Sequence, residues 1–187
     1  MKRLVIITVG KTHSGKTTFA KQLEKELDRS FVVDQDNHAT FIHTYYQKLL
    51  PTSGTNTLKT SLTKFIVNYA KEYTDLHIIV SNSNLSRKGR TYLLEEIYPK
   101  EEFVRILVYF DIPDEILYER VRNSKRSTNI LRTANSFEEV LMRQQEASQL
   151  ADVKEPTEGE ADVLFVLKNA EEAEAVMKKI IDISKRL

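Results

Sequence analysis

The chain contains no cysteine and no tryptophan, and only five of its 187 residues are glycine and four are proline. Without cysteine, neither disulfides nor thiolate metal sites can form, which favours a reducing compartment. No apolar run approaches the roughly 18 residues that a membrane-spanning helix needs. The apolar run near the N-terminus is too short for a signal peptide core. We therefore expect a cytoplasmic protein with no membrane partner.

An excess of charge of one sign is also absent, because 28 Lys and Arg residues face 27 Asp and Glu residues, for a net charge of +1. Such a balance creates no global field toward nucleic acid, which stays possible as a partner but is not favoured. With no internal repeat and no low-complexity linker, we expect one domain over residues 1–187. The sequence sets no oligomeric state.

Five short apolar runs alternate with amphipathic helical patterns. The runs span residues 4–9, 31–33, 77–80, 104–110 and 163–167. Because most are continuous, they predict strands that are buried on both faces, and their alternation with helices predicts an α/β fold with a helix-flanked parallel sheet. Functional residues should gather at the carboxyl edge of that sheet. The longest helical pattern predicts one apolar stripe, formed by Leu58, Leu62, Phe65, Ile66, Tyr69 and Tyr73.

The sequence "GKTHSGKT" at residues 10–17 follows the first run and matches the Walker A pattern. Backbone N–H groups of such a loop surround phosphate oxygens, Lys16 would contact the β and γ phosphates of ATP, and the Thr17 hydroxyl would bind Mg²⁺. The expected nucleotide-binding residues are Gly10, Lys11, Thr12, His13, Ser14, Gly15, Lys16, Thr17 and Thr18. His13 occupies a variable position of the pattern, and we assign it no chemical step.

The sequence does not support two other classes of phosphate-loop protein, the GTPases and the transport or motor ATPases. Neither Asp-x-x-Gly nor Asn-Lys-x-Asp, the strings expected of a GTPase, occurs in the chain. The strand "ILVYFD" ends at Asp111, but a short turn and an arginine-rich helix follow it, as in the lid of a small kinase. We therefore do not assign Asp111 to magnesium, and a kinase is favoured over a transport or motor ATPase.

The second strand ends in "FVVDQDNH", which places Asp34 and Asp36 at the expected functional edge. In an extended chain, residues two apart point the same way. One carboxylate could then bind Mg²⁺ while the other accepts the proton of an acceptor hydroxyl. The alternative is a polar turn whose aspartates cap the next helix.

Further polar groups follow the third and fourth strands. Asn82 lies at the same edge, and Arg87 and Arg90, three residues apart, are candidates for contacting the acceptor; the alternative is a helix cap with solvated basic residues. Arginines of residues 118–132, including Arg122 and Arg126, could brace a transferring phosphoryl group on a mobile lid, or form a solvated basic face. Residues 38–56 form a long connection, which is read either as a functional loop or as a solvated helix and turn.

In this order, the motifs resemble the small phosphate-loop kinases that include polynucleotide 5′-hydroxyl kinases and zeta-toxin-type kinases, from Gly10 to about Glu160. The resemblance implies a three-layer P-loop NTPase fold with an AAA-type ATP-binding domain, a parallel sheet in the order 2-3-1-4-5, and ATP and Mg²⁺ as cofactors. It implies a substrate-side segment at 38–73 and a lid around 118–135.

Carried onto single residues, the resemblance assigns Lys16 and Thr17 to ATP and Mg²⁺. "DQDNH" matches the acidic acceptor motif, so Asp36 is the first choice for the base. Asp34 is the second choice for the base and is also a candidate metal ligand. "RNSKR" resembles the lid segment and makes Arg122 and Arg126 the phosphate-bracing pair. "RQQE" and "EPTEGEAD" are similar to the last helix and the loop that borders adenine.

Two positions depart from the family pattern: Asn82 stands where an aspartate is frequent, and His38 where an arginine is frequent. Both are candidates for acceptor contact. We expect a kinase that transfers the γ-phosphate of ATP to a hydroxyl of a small molecule, a nucleoside or a nucleic-acid 5′ end. The alternatives are a nucleotide-binding switch or slow ATPase that acts through a protein partner, and, with less support, a nucleic-acid-binding module.

Overall fold

The computed structural model describes residues 2–54, 56–131 and 133–187. The strands are β1 (Arg3–Val9), β2 (Ser30–Val33), β3 (His77–Val80), β4 (Phe103–Phe110) and β5 (Val163–Leu167). The helices are α1 (Lys16–Glu26), α2 (Gln35–Tyr45), α3 (Thr57–Tyr73), α4 (Arg87–Tyr92), α5 (Asp114–Arg122), α6 (Phe137–Ala147) and α7 (Glu172–Ser184). A 3-10 turn covers Gln47–Leu49, and a π-helical turn over Leu93–Ile97 continues α4. Within these ranges, no helix is long and apolar enough to cross a membrane.

All five strands run parallel in one sheet, in the order β2-β3-β1-β4-β5. β1 is central, with Val5 opposite Ile78 of β3 on one side and Arg105 of β4 on the other. The predicted strands are confirmed to within one residue at each end. The α/β class, the sheet order and the P-loop NTPase fold are confirmed as well.

The alternation of side chains along β1 divides the interior into two apolar layers. Leu4 and Ile6 belong to a core that also contains Phe19 of α1 and Leu141 of α6. Val5, Ile7 and Val9 belong to the core on the opposite face, together with residues of α3 and the π-helical turn. Because full burial of each aliphatic side chain is worth about 1.5–3 kcal/mol, both faces of the central strand hold helices firmly against the sheet.

The single apolar stripe predicted for α3 is wrong, although the helix itself is present. Phe65, Tyr69 and Tyr73 are 67%, 54% and 64% exposed, whereas the buried residues of the helix are Val67 and Ala70. Residues four apart share a helix face, and the three aromatic residues therefore form a face of their own. Their rings contact each other in sequence, with centroids 6.4 and 4.8 Å apart.

Most of the long connection predicted at residues 38–56 is ordered, as the helix-and-turn alternative required. Asp34 caps α2, because its Oδ1 accepts a hydrogen bond from the Asp36 backbone N–H at 2.8 Å. The helix runs to Tyr45, and the 3-10 turn follows directly. The chain therefore turns into a helix immediately after β2, at the functional edge.

The contact between β1 and β3 carries a titratable group whose effect on stability can be measured. The Leu4 backbone N–H donates to Nδ1 of His77 at 3.0 Å, and burial, assisted by Arg29 and Arg3, lowers the pKa of His77 below its ordinary value. The unfolded chain then binds this proton more readily than the folded protein. We expect the free energy of unfolding to fall as the pH drops below about 6.5.

The test compares urea unfolding of the wild type and of His77→Gln at pH 8 and pH 5.5. Glutamine offers a neutral oxygen to the Leu4 N–H and does not titrate, so the variant should lose less stability on acidification. An identical loss in both proteins would contradict the role of His77.

Candidate functional site

The phosphate loop joins β1 to α1 at the carboxyl edge of the sheet. Gly10 and Gly15 have φ angles of 152° and 103°, which side-chain-bearing residues rarely adopt. A Cβ on Gly10 would lie 3.0 Å from Cβ of Phe110 and 3.0 Å from Oγ of Ser14. Glycine at the first position of the motif therefore allows β4 to approach the loop.

Lys16 begins α1, and its side chain folds back over the loop. Its Nζ donates to the hydroxyl of Ser14 at 3.0 Å and to the backbone carbonyl of Lys11. Burial lowers the pKa of Lys16 to about 7, while the carboxylate of Asp36 acts in the opposite direction. A nucleotide phosphate at this ammonium would supply the negative charge that it lacks and favour its charged form.

A cluster of oxygen atoms at the start of α1 fits a magnesium ion. Oγ1 of Thr17 lies 3.5 Å from Oδ2 of Asp34 and 3.3 Å from Oγ of Ser81. Asp34 is 2% exposed, and this burial raises its pKa, which a bound cation would oppose. The part of the chain that the structure describes has no group of three or more His, Cys, Asp or Glu residues suited to a metal. Mg²⁺ suits this set because it takes few protein ligands and completes its shell with phosphates and water.

Ser81 was not among the residues singled out from the sequence. It is the first residue after β3 and is 3% exposed. Its position at the carboxyl end of a central strand is the signal that identifies it, since such residues face the loop on the neighbouring strand.

Asp34 and Asp36 do not form the extended pair that the sequence predicted. Asp34 is the cap of α2 and Asp36 lies in its first turn, so the two carboxylates point to different partners. Oδ2 of Asp36 accepts from Nη2 of Arg126 at 2.5 Å. The structure thus separates a buried carboxylate beside Thr17 from a half-exposed carboxylate beside the lid.

Two arginines lie near the phosphate loop, one within α5 and one in the segment that follows it. Arg126 lies over the Phe137 ring at 5.0 Å while it pairs with Asp36. Arg120 donates to the backbone carbonyl of His13 at 3.2 Å. Arg122 is exposed at the end of α5 and does not line the cavity described below. Arg132, counted in the basic stretch, lies outside the described residues.

His38 and Asn82 connect elements around the site. Nδ1 of His38 lies 2.8 Å from the hydroxyl of Thr63, which donates to the carbonyl of Lys59, so His38 joins α2 to α3. Burial lowers the pKa of His38. Oδ1 of Asn82 accepts from the backbone N–H of Gln35 at 3.2 Å. Asn82 lines the cavity, whereas His38 lies behind its wall.

The other two basic candidates lie outside the cavity. Arg90 is 0% exposed; its guanidinium donates to both carboxylate oxygens of Glu160, at 2.5 and 3.2 Å, and to three backbone carbonyls. Arg87 is exposed, and its backbone N–H donates to the carbonyl of Asp152 at 2.7 Å. The contacts of Arg90 are therefore those of a residue that holds α4 to the 154–160 loop.

A side chain of α6 also contacts the phosphate loop. Oε1 of Gln144 accepts from the backbone N–H of Thr12 at 2.7 Å. Gln144 was not among the candidate residues, since a glutamine in a helical pattern carries no signal of this contact. His13 packs its ring edge on Phe137 at 5.0 Å, and its buried Nε2 has no hydrogen-bond partner among the described residues.

The phosphate loop, Asp34, Asp36, Ser81, Asn82, Arg120, Arg126 and Gln144 line one cavity of about 990 Å³. Residues of α2 and the start of α3 also line it, as do residues 124–131 and α7. The loop "EPTEGEAD" contributes Glu155 and Pro156 to a separate cavity of about 250 Å³. The residues of the large cavity that follow β5 in the chain are Asn169, Ala170, Ala173 and Met177.

Comparisons with known proteins place the chain among phosphate-loop folds. A family model described as an AAA domain matches residues 5–150. None of the curated proteins matches the chain significantly.

Three solved structures illustrate the similarity. Kti12 from Chaetomium thermophilum, in complex with ADP-AlF3, is 18% identical with a TM-score of 0.63, over 96% of this chain and 98% of that one. A putative kinase from Chloroflexus aurantiacus J-10-fl is 16% identical with a TM-score of 0.63, over 99% and 97%. A sugar kinase from Janibacter sp. HTCC2649 is 21% identical with a TM-score of 0.56, over 97% and 94%. Identities of this size show the shared fold alone.

Proposed function

Since the chain belongs to the AAA domain family, whose model matches residues 5–150, we propose that it is an ATP- and Mg²⁺-dependent kinase that phosphorylates a hydroxyl group. The observation that carries the proposal is the continuity of the cavity. Lys16 and Thr17 lie in the same space as Asp36, Asn82 and the first turn of α3. That space, of about 990 Å³, offers room for an acceptor beside a bound nucleotide. The names of several structures of similar fold, a shikimate kinase and a gluconokinase among them, support the same class.

The residues divide the reaction into three tasks. Lys16 and Arg120 would contact phosphate oxygens, and Thr17, Asp34 and Ser81 would hold a magnesium ion, whose charge would offset that of the nucleotide phosphates. The second task, orientation of the acceptor, belongs to Asn82 and the cavity face of α2. Asp36 accepts the proton of the acceptor hydroxyl as its oxygen attacks the γ-phosphorus and ADP leaves.

The ion pair between Arg126 and Asp36 suits a sequence of events in which ATP binds before Asp36 contacts the acceptor. While Arg126 holds the carboxylate, Oδ2 of Asp36 is occupied by the guanidinium and does not face an acceptor hydroxyl. The γ-phosphate offers Arg126 a doubly charged partner with bidentate geometry. We infer that ATP draws Arg126 away and frees Asp36 for the acceptor.

The experiment is a measurement of ADP release from ATP and Mg²⁺ across a panel of sugars, sugar acids, nucleosides and 5′-hydroxyl oligonucleotides. A large stimulation by one class, with one phosphorylated product per ADP, is the expected result. Stimulation by an oligonucleotide would place the protein with the polynucleotide kinases. The kinase proposal fails if no compound changes the rate and every ADP is matched by free phosphate.

A second candidate function is a nucleotide-dependent switch that acts through a protein partner. The aromatic face of α3, formed by Phe65, Tyr69 and Tyr73, favours it, because contiguous exposed aromatic side chains are typical of interaction surfaces. This function predicts slow hydrolysis with no dependence on an acceptor. The same measurement therefore separates the two candidates.

A further inference from the structure

The cavity lining carries more positive than negative side chains. Its described lining contains five Lys and Arg side chains, Lys16, Lys21, Lys59, Arg120 and Arg126, and two carboxylates, Asp34 and Asp36. Asp34 lies in the magnesium corner and Asp36 is paired with Arg126. Lys16, Arg120 and Arg126 are placed for nucleotide phosphates, and the charge of Lys21 acts on the Asp34 carboxylate. Lys59 is then the described cation of the lining that has neither a phosphate nor a carboxylate partner.

In the described part of the chain, Lys59 is a positively charged residue of the cavity that has no anionic partner. It lies in the first turn of α3, where its backbone N–H donates to Oδ1 of the cap residue Asn56 at 3.1 Å. The side chain is half-buried and lines the cavity. Among the described residues, no carboxylate lies within 4.0 Å of its ammonium, whereas Lys11 has Asp114 at 2.6 Å. A partly buried charge is costly until it is paired.

The position of Lys59 relative to Asp36 is fixed by a chain of hydrogen bonds. His38 contacts the hydroxyl of Thr63 at 2.8 Å, and that hydroxyl donates to the carbonyl of Lys59 at 2.9 Å. Asp36 lies two residues before His38 on α2. The base and the unpaired ammonium therefore belong to one braced unit of two helices.

The cavity face of α2 between them offers hydrogen-bond acceptors. Thr40 donates its hydroxyl proton to the carbonyl of Asp36 at 2.9 Å, and Thr44 donates to the carbonyl of Thr40 at 2.8 Å. Both hydroxyl oxygens keep lone pairs that can accept from a ligand. His43, on the same face, is half-buried and lines the cavity. This face suits a ligand with hydroxyl groups.

We propose that the acceptor is a hydroxylated compound that carries an anionic group, and that Lys59 binds this group while a hydroxyl of the compound faces Asp36. The proposal rests on the proposed kinase function and names the substrate class of the same cavity. A carboxylate and a phosphate ester present the same chemistry to an ammonium. The test contains an arm for each.

The first test compares acceptors that differ in one charge: ribose with ribose 5-phosphate, and glucose with gluconate. In the ADP-release assay, we expect the charged member of at least one pair to have a KM about tenfold lower or more. Lys59→Gln should remove this advantage with little change in kcat. The control is Lys64→Gln on the same helix, whose ammonium lies 5.7 Å from the Tyr92 ring and does not line the cavity.

Equal use of charged and neutral acceptors, or equal effects of Lys59→Gln and Lys64→Gln, would overturn the proposal and leave the kinase function intact. If no compound stimulates ADP release, the kinase function is refuted. The anion site is then tested separately, by direct measurement of anion binding. Inorganic phosphate and acetate are titrated into protein that is saturated with a non-hydrolysable ATP analogue and Mg²⁺, and the imidazole resonances of His43 are followed. Saturable binding that Lys59→Gln abolishes supports the site, and the absence of binding overturns it.

Discussion

Replacement of Asp36 by asparagine is expected to lower phosphoryl transfer to the acceptor by about 10²–10⁴-fold, the usual contribution of a positioned general base. Asparagine keeps the size of the side chain but cannot accept the hydroxyl proton. The affinity for ATP should not fall, because Lys16, Thr17 and the phosphate loop are the proposed nucleotide contacts, and it should rise if Arg126, released from residue 36, turns to the γ-phosphate. The measurement is kcat for the acceptor found in the panel, together with the dissociation constant of ATP.

The matched control is Asp75→Asn. Asp75 forms an ion pair with Arg29 at 3.1 Å, outside the cavity, so this variant loses an arginine–carboxylate contact without touching the reaction. Asp34→Asn separates the two possible bases: we expect it to raise the Mg²⁺ concentration needed for activity. Transfer that survives Asp36→Asn, combined with loss in Asp34→Asn at an unchanged Mg²⁺ requirement, would make Asp34 the base.

The second large effect is expected at Arg90, and it concerns stability. Arg90→Ala leaves the carboxylate of Glu160, which is 9% exposed, without its partner and opens a space beside α4. Loss of one member of a buried ion pair costs about 3–5 kcal/mol. Urea unfolding should show this as a markedly lower midpoint with a nearly unchanged slope.

Arg29→Ala is the matched control for this variant, because the pair of Arg29 with Asp75 is exposed and such pairs contribute about 0–1 kcal/mol. If Arg90 acted on the acceptor, as its spacing from Arg87 suggested, its replacement would raise the KM of the acceptor and leave the midpoint near that of Arg29→Ala. That outcome would refute the structural role. Glu160→Gln keeps the volume of the side chain and tests the same pair if Arg90→Ala does not fold.

The phosphate loop and the sheet could be predicted because their signals are local. The spacing of the Walker A motif is set by the backbone conformations of neighbouring residues. A continuous apolar run such as "HIIV" indicates a strand that is buried on both faces. The register of α3 could not be predicted in the same way, since Phe65 and Tyr69 are as apolar as core residues. Only the packing partners decide which face of such a helix is buried.

The acceptor side of the cavity depends on contacts between residues far apart in the chain. Asp36 meets Arg126 across 90 positions, and Arg90 meets Glu160 across 70. The three-residue spacing of Arg87 and Arg90 is the same whether one of them is buried or both are exposed to solvent. It therefore does not distinguish these two arrangements. The sequence therefore indicates that arginines are present near the site, and tertiary structure decides which of them reach it.

The hydrogen bond from the Thr12 N–H to Gln144 has a consequence for how nucleotide is captured. Together with the contact of Lys16 to Ser14, it supports the curved form of the phosphate loop with side chains of the protein. Support of this kind lowers the conformational entropy that a loop loses on binding, so more of the interaction energy remains available as affinity. Preorganisation of this kind also links nucleotide capture to α6, a helix remote in sequence that has no phosphate-binding motif.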